Sequence, residues 1–249
     1  MRDCVVVGCG RSGTSLCAGL LAGAGYAAGR RLLPPDPGNP TGHFEDPDVN
    51  RLNEELLAPY AGRAARRGYS RPPRQGERWL AAFQPDVAIG ARPDLIDAMA
   101  AALPPSPFCV KDPRFCHTLA AWRPALGDPL FVCVFRNPLA TAQSISREVR
   151  YGDLRVDLEA AVLIWESAYR AVLDRHAREA DWLFVHYEQL LDGSGVERLS
   201  ERLGVELDPS FAQRSLNRAG GGRPVPEELA PLYDALCARA GLTGPATPR

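Results

Sequence analysis

Lysine is almost missing from this chain: 28 of its 29 basic residues are arginine, and Lys111 stands alone. The general preference for arginine reflects codon bias, but a position that stays lysine in such a chain marks itself for attention. Net charge is also small, at −1, so bulk electrostatics give no basis for binding nucleic acid or a membrane surface. No apolar run reaches the roughly 18 residues of a spanning helix. The first residues read as a strand and lack the long apolar core of a secretory signal. The seven cysteines show no CxxC or other metal-ligand spacing and are odd in number. They are expected to be free, buried thiols of a cytoplasmic protein, with no metal site. Repeats, low-complexity blocks and clear linkers are absent too, so residues 1–249 are expected to form a single domain.

What is present is an alternation of strands and helices. Residues 3–8 read as a buried strand and 13–24 as a helix rich in small residues. The stretch 26–47 carries five prolines and is expected to be a surface loop. The segment 48–57, "DVNRLNEELL", has helical spacing with Asp48 as its cap. Residues 58–78, rich in Arg, Pro and Gly, are expected to be mobile. A helix over 92–103 precedes a short strand, 108–110, which runs into Lys111 and Asp112, with Pro113 opening the next helix. The continuous apolar run "LFVCVF" (130–135) suits the covered middle of a parallel sheet. Asn137 and Pro138 then cap and open a helix. A long amphipathic helix is expected over 156–178, a fourth strand over 182–187, and a helix stopped by Gly204. The pattern predicts an α/β fold, a P-loop-like doubly wound parallel sheet flanked by helices, with ligands at the carboxyl ends of the strands.

The run "VVVGCGRSGTS" (5–15) joins a strand, a glycine-rich turn and a helix N-terminus, which together suit an anion. Its letters fit both GxGxxG and most of a phosphate-binding loop. The dinucleotide reading lacks an acidic residue about 20 positions on, although Arg30 and Arg31 keep an NADP-dependent reductase open. A kinase or nucleotide hydrolase would need lysine where Thr14 stands, and a strand ending in a metal-holding aspartate. Instead "LFVCVF" ends on Arg136. A turn that binds nothing is the plainest alternative. Against it, three strands end near a cation, at Arg11, Lys111 and Arg136, which fits one ligand with several anionic groups and no metal. Arg136 alone would pass for a surface salt-bridge partner, and Lys111–Asp112 for an ion pair at a helix start. His117, His176 and His186 read as structural.

Taken in order, "GCGRSGTS", "KDPRF" and "FRNPLATAQS" resemble the sulfotransferases that use 3′-phosphoadenosine 5′-phosphosulfate. "VHYEQLLDGSGVERLSERLGVELDP" resembles their later strand-and-helix region, so the likeness covers roughly 3–210. The tyrosylprotein enzymes offer the parallel to "KDP", and the bacterial small-molecule enzymes the parallel to the whole arrangement. The resemblance implies metal-free transfer of a sulfuryl group to a hydroxyl or amine of a small-molecule acceptor, leaving 3′-phosphoadenosine 5′-phosphate. It implies that Arg11, Ser12, Gly13, Thr14 and Ser15 form the 5′-phosphosulfate loop, and that Arg136 and Ser144 hold the 3′-phosphate. Tyr187 matches a tyrosine near the adenine, with buried packing as its alternative. Arg218 and Arg223, in "NRAGGGR", sit where the family often has a further phosphate loop. Lys111, supported by Arg11, is then the cation for the leaving phosphate. Its compact ammonium can donate to one bridging oxygen. Where cytosolic members carry a histidine base, this chain has Pro113. Other branches use a glutamate after the first helix, which points to Glu45 with a carboxyl raised by burial. His43 and Asp46 are rivals, and Glu45 and Asp46 could instead only favour the next helix dipole. The segments 26–47 and 58–78 are expected to border the acceptor site. A nucleotide-binding module without catalysis remains the alternative of a different class.

Overall fold

The computed structural model describes residues 1–148, 153–178, 180–214 and 224–242. Four parallel strands make one sheet in the order β2-β1-β3-β4: β1 is Cys4–Val7, β2 Cys109–Lys111, β3 Leu130–Phe135 and β4 Trp182–His186. In register, Val6 lies beside Lys111 on one side and beside Val132 on the other. Phe135 pairs with His186. Strand order therefore reverses about β1, and the glycine loop leaves the sheet at that switch point, where doubly wound folds bind ligands.

Side-chain alternation divides the core into two layers. Val5, Val7, Phe131, Cys133 and Phe135 face a layer built with Trp122, Trp165 and Tyr169. Cys4, Val6, Leu130, Val132 and Val134 face the opposite layer with Leu20, Leu190 and Leu199. Both faces of the sheet are covered, so its strands are apolar up to their carboxyl ends, where Lys111 and His186 stand, rather than alternating with polar residues. The seven cysteines are free and buried.

Several helices follow the sequence closely. Helix α1 runs Thr14–Gly23 and α5 Pro138–Glu148, whereas α3, expected over 92–103, is Ile96–Ala102 behind a 3₁₀ turn at Pro93–Leu95, and α4, expected to open at Pro113, is Phe115–Leu126. Asn137 caps α5 by accepting from the Ala140 amide at 3.1 Å. Helix α6 is Leu158–Ala171 and winds into a wider turn at Val172–His176. Helix α7 is Tyr187–Asp192, and α8, Ser194–Leu203, stops at Gly204 in the left-handed region. Among the described residues no helix is long and apolar enough to cross a membrane.

Two expectations are corrected. Helix α2 is Pro47–Leu57 and its cap is Asp46, not Asp48. Proline suits the first helical position because its missing N–H would be unpaired there, and Asp46 accepts from the Asp48 amide at 2.8 Å. The segment 58–78 is not loose. It contains a 3₁₀ turn at Ala58–Arg63 and bridges Ala64 to Phe83 and Tyr69 to Val156. Arg71 pairs with both Glu77 and Asp153. Five of its six arginines, Arg63, Arg67, Arg71, Arg74 and Arg78, pair with carboxylates, which the composition alone does not reveal.

Candidate active site

Aromatic side chains of α6 hold the strand ends from beneath. The Tyr169 hydroxyl donates to the Val134 carbonyl at 2.8 Å and accepts from the Cys9 amide at 3.3 Å. The Trp165 indole donates to the Arg136 carbonyl at 3.1 Å. The end of β3 and the start of the glycine loop are thus tied to the buried face of one helix. At Gly13 φ is +97°, and a Cβ there would lie 2.5 Å from the Tyr187 ring, so only glycine fits. Helix α1 begins at this glycine without a side-chain cap and without an acidic residue in its first turn. Its amide dipoles remain available to an anion.

The loop side chains are divided between the glycine loop's neighbours. Arg11, at φ +70°, donates to Ser144 Oγ at 3.2 Å and to the Gly38 carbonyl at 3.1 Å. It thus reaches towards α5 and Ser144; the resemblance implied that it forms part of the 5′-phosphosulfate loop and supports Lys111. Ser12 Oγ lies 3.4 Å from Thr141 Oγ1. Ser15 donates to the His43 carbonyl at 3.2 Å, and Thr14 is buried. The Pro-rich segment 26–47 therefore lies against the glycine loop through Gly38 and His43. Arg136 stacks 4.4 Å over the Tyr187 ring. Although it is nearly buried, no carboxylate among the described residues forms an ion pair with it. Tyr187 is thus packed between Gly13 and Arg136. Arg218 and Arg223 lie outside the described residues.

At the end of β2, Lys111 donates to Glu45 Oε1 through a short, buried contact. Asn50 donates to the other carboxylate oxygen, Oε2, at 3.0 Å. Burial alone would raise the Glu45 carboxyl. The charge and hydrogen bond of Lys111, then the charge of Arg114 and the Asn50 hydrogen bond, outweigh burial and hold it below its ordinary value. The expected upward shift is therefore overturned in this state, because the sequence does not show that the lone lysine meets this carboxylate. Asp46 is engaged elsewhere: besides capping α2 it accepts from the Arg31 amide at 2.9 Å. The His43 imidazole sits 3.0 Å from Asp36. Of the three candidate bases, Glu45 alone meets Lys111.

Lys111 and Asp112 do not pair with each other. Asp112 accepts from the Arg114 amide at 2.8 Å and from its guanidinium at 3.1 Å. Burial raises the Asp112 carboxyl, against the opposing charge of Arg114. Arg114 also donates to Glu54 at 2.6 Å and to the Gly76 carbonyl at 2.9 Å. Arg78 completes the group on Glu54 at 2.7 Å. The sequence reading missed Asn50, Glu54, Arg78 and Arg114. Their signal was there: Asn50, Asn53 and Glu54 lie among Val49, Leu52, Leu56 and Leu57 on one short helix, polar residues set into an apolar pattern. Trp79 packs its ring on Gly10, 2.7 Å from where a Cβ would be.

His117, His176 and His186 are buried. Burial first, and neighbouring positive charge second, pushes His117 down to about 3 and His176 and His186 to about 4. His186 accepts from the Glu188 amide and its other nitrogen meets the Tyr233 hydroxyl at 3.0 Å. Arg30 donates to the Leu103 carbonyl and Arg31 pairs with Asp48, so the arginines that the NADP reading required are committed elsewhere. No group of metal-ligating side chains occurs among the described residues.

A family model described as "Sulfotransferase family" matches residues 4–209. Among curated proteins none matches. Two solved structures are similar in fold. One is the sulfotransferase domain from the Synechococcus PCC 7002 olefin synthase, with 17% identity and a TM-score of 0.47, covering 100% of this chain and 90% of that one. The other is the sulfotransferase domain from the curacin biosynthetic pathway, with 14% identity and a TM-score of 0.45, covering 94% of this chain and 97% of that one.

Proposed function

Because the chain belongs to the sulfotransferase family, we propose that it transfers a sulfuryl group from 3′-phosphoadenosine 5′-phosphosulfate to a hydroxyl or amine of a small-molecule acceptor. The observation that carries this reading is the pairing of a cation with a carboxylate, Lys111 with Glu45, at the strand end next to the glycine loop. The residues present suit such a donor. An uncapped helix N-terminus on glycine and a nearly buried guanidinium that lies near the Glu188 charge but forms no ion pair among the described residues are two separate places for anionic groups.

In this reading the amides at Gly13, Thr14 and Ser15 take the 5′-phosphosulfate, and Arg136, Ser144 and Arg11 take the 3′-phosphate. The donor supplies an activated sulfur whose bond to the bridging oxygen breaks as the acceptor oxygen attaches, the electron pair staying on the phosphate. Lys111 stabilises the charge that gathers on that oxygen, with the α1 dipole in support. Glu45 Oε1 takes the acceptor's proton. Each role requires Lys111 to leave Glu45 for the phosphate, which removes the charge that weakens Glu45 as a base. Trp79 and the segments 26–47 and 58–78 border the approach to the acceptor.

The test is turnover of sulfur-labelled donor with a panel of phenols, sugars and amines. Lys111→Ala and Glu45→Gln should each lower turnover at least 100-fold while 3′-phosphoadenosine 5′-phosphate still binds. Binding without turnover by the unaltered chain would favour the module without catalysis.

A further inference from the structure

Glu45 has two oxygens and two partners on different elements. Oε1 meets Lys111 at the end of β2, and Oε2 accepts from Asn50 Nδ2 on α2 at 3.0 Å. Asn50 is itself fixed by its helix, its backbone N–H donating to the Asp46 carbonyl at 3.0 Å. Its side-chain oxygen is buried and has no hydrogen-bond partner. The side-chain Nδ2 therefore donates to Glu45 at the expense of an unsatisfied acceptor. Oxygen facing the carboxylate would be repelled, so the amide orientation follows from chemistry. The remaining charged groups that act on Glu45 are Arg114 and Asp112, in the turn into α4. The flanking His43 and Asp46 turn to Asp36 and to the Arg31 and Asp48 amides.

We propose that Asn50 is a positioning residue for the proton acceptor: it pins Glu45 through Oε2, so that Oε1 alone is exchanged between Lys111 and the acceptor hydroxyl. This rests on the reading of Glu45 as the base. Without Asn50 the carboxylate would have one anchor, Lys111, and would lose it when Lys111 turns to the donor phosphate. With Asn50 the carboxylate keeps its place and one stabilising hydrogen bond through that exchange. The exchange also ties anion binding to the protonation of Glu45, because a carboxylate deprived of its cation in a buried site gains affinity for a proton.

Two measurements test this without an acceptor. The first follows the Glu45 carboxyl carbon by NMR titration of the free protein, assigned by its loss in Glu45→Gln. Removing one hydrogen bond to a charged group should move its midpoint up by about one pH unit in Asn50→Ala. The near-isosteric Asn50→Asp, which sets a like charge beside it, should move it further. A midpoint unchanged in both variants overturns the proposal, since a merely structural Asn50 would alter stability alone. The second is calorimetric titration with 3′-phosphoadenosine 5′-phosphate at pH 6 in two buffers of different ionisation enthalpy. The ligand's phosphate monoesters change their own protonation on binding near pH 6, so Glu45→Gln sets the baseline; the unaltered protein should take up a further fraction of a proton above it, and Asn50→Ala a different fraction with its pH profile displaced upward. A proton count identical in the unaltered protein and in Glu45→Gln overturns the exchange. No binding at all would refute the donor reading instead, and the NMR arm would still judge Asn50.

Discussion

Replacing Lys111 by methionine keeps its length and removes its charge, leaving the Glu45 carboxylate buried with Asn50 as its remaining direct partner. Breaking one side of a buried pair costs about 3–5 kcal/mol, and the variant can limit that loss by protonating Glu45. In the unaltered protein Glu45 is held below its ordinary value, so its contribution is present above the unfolded value and is lost as pH falls through the folded one. In Lys111→Met the same carboxyl is raised, so the variant's deficit grows with pH. The expected deficit is about 3 kcal/mol at pH 8 and about 1 kcal/mol at pH 5. For a chain of this size the larger figure is a fall in Tm of about 6–12 °C. Urea denaturation of Lys111→Met, Glu45→Gln and the double variant, at both pH values, measures it. The double variant should recover about 2 kcal/mol relative to the sum of the two singles. A deficit flat between pH 5 and 8, or strict additivity, refutes the pair as described.

Other expectations follow from the same geometry. His117, His176 and His186 stay neutral in the folded protein down to about 3, 4 and 4, whereas the unfolded chain protonates them near pH 6.5. Stability should therefore fall by roughly 3–4 kcal/mol in total between pH 7 and 5.5, and a flat profile by chemical denaturation would contradict their burial as neutral rings. Asp46→Ala removes the α2 cap and should lose about 1–2 kcal/mol, while adenosine bisphosphate affinity stays within about twofold because the cap faces Arg31 and Asp48. Gly13→Ala must displace the Tyr187 ring and hold alanine at positive φ. It should lose about 1–3 kcal/mol and weaken adenosine bisphosphate binding, and unchanged binding would detach Tyr187 from the donor site.

The strands were legible because each is a short apolar run whose two faces are both covered, and "LFVCVF" forms a strand with the boundaries read from it. Helix α5 was equally plain, since Asn137 and Pro138 state its start chemically. Boundaries went wrong where a neighbour competed: Asp46 and Asp48 can each cap α2, and Pro47 between them decides the matter. The order of segments 58–78 was hidden, because pairing of Arg71 with Asp153 spans 82 residues and composition carries no information on it. The same limit governs the site. Glu45 and Lys111 were legible singly, but their contact spans 66 residues, so the direction of the Glu45 shift was misread. Desolvation can be guessed from the chain, whereas the compensating cation is a tertiary fact. Asn50 and Arg114 escaped for that reason too, although the polar residues set into α2 and the arginine directly after "KDP" were in view.

The central claim is that this site takes the donor's nucleotide, and thermal stabilisation by 3′-phosphoadenosine 5′-phosphate, with ATP–Mg²⁺ and NADPH in parallel, tests it most directly. At 100 times its dissociation constant a ligand adds about 2.7 kcal/mol, here a rise in Tm of about 5–11 °C. The account predicts that rise for the adenosine bisphosphate alone and its loss in Arg136→Ala. Stabilisation by NADPH or ATP instead, or a rise that Arg136→Ala leaves intact, would contradict it.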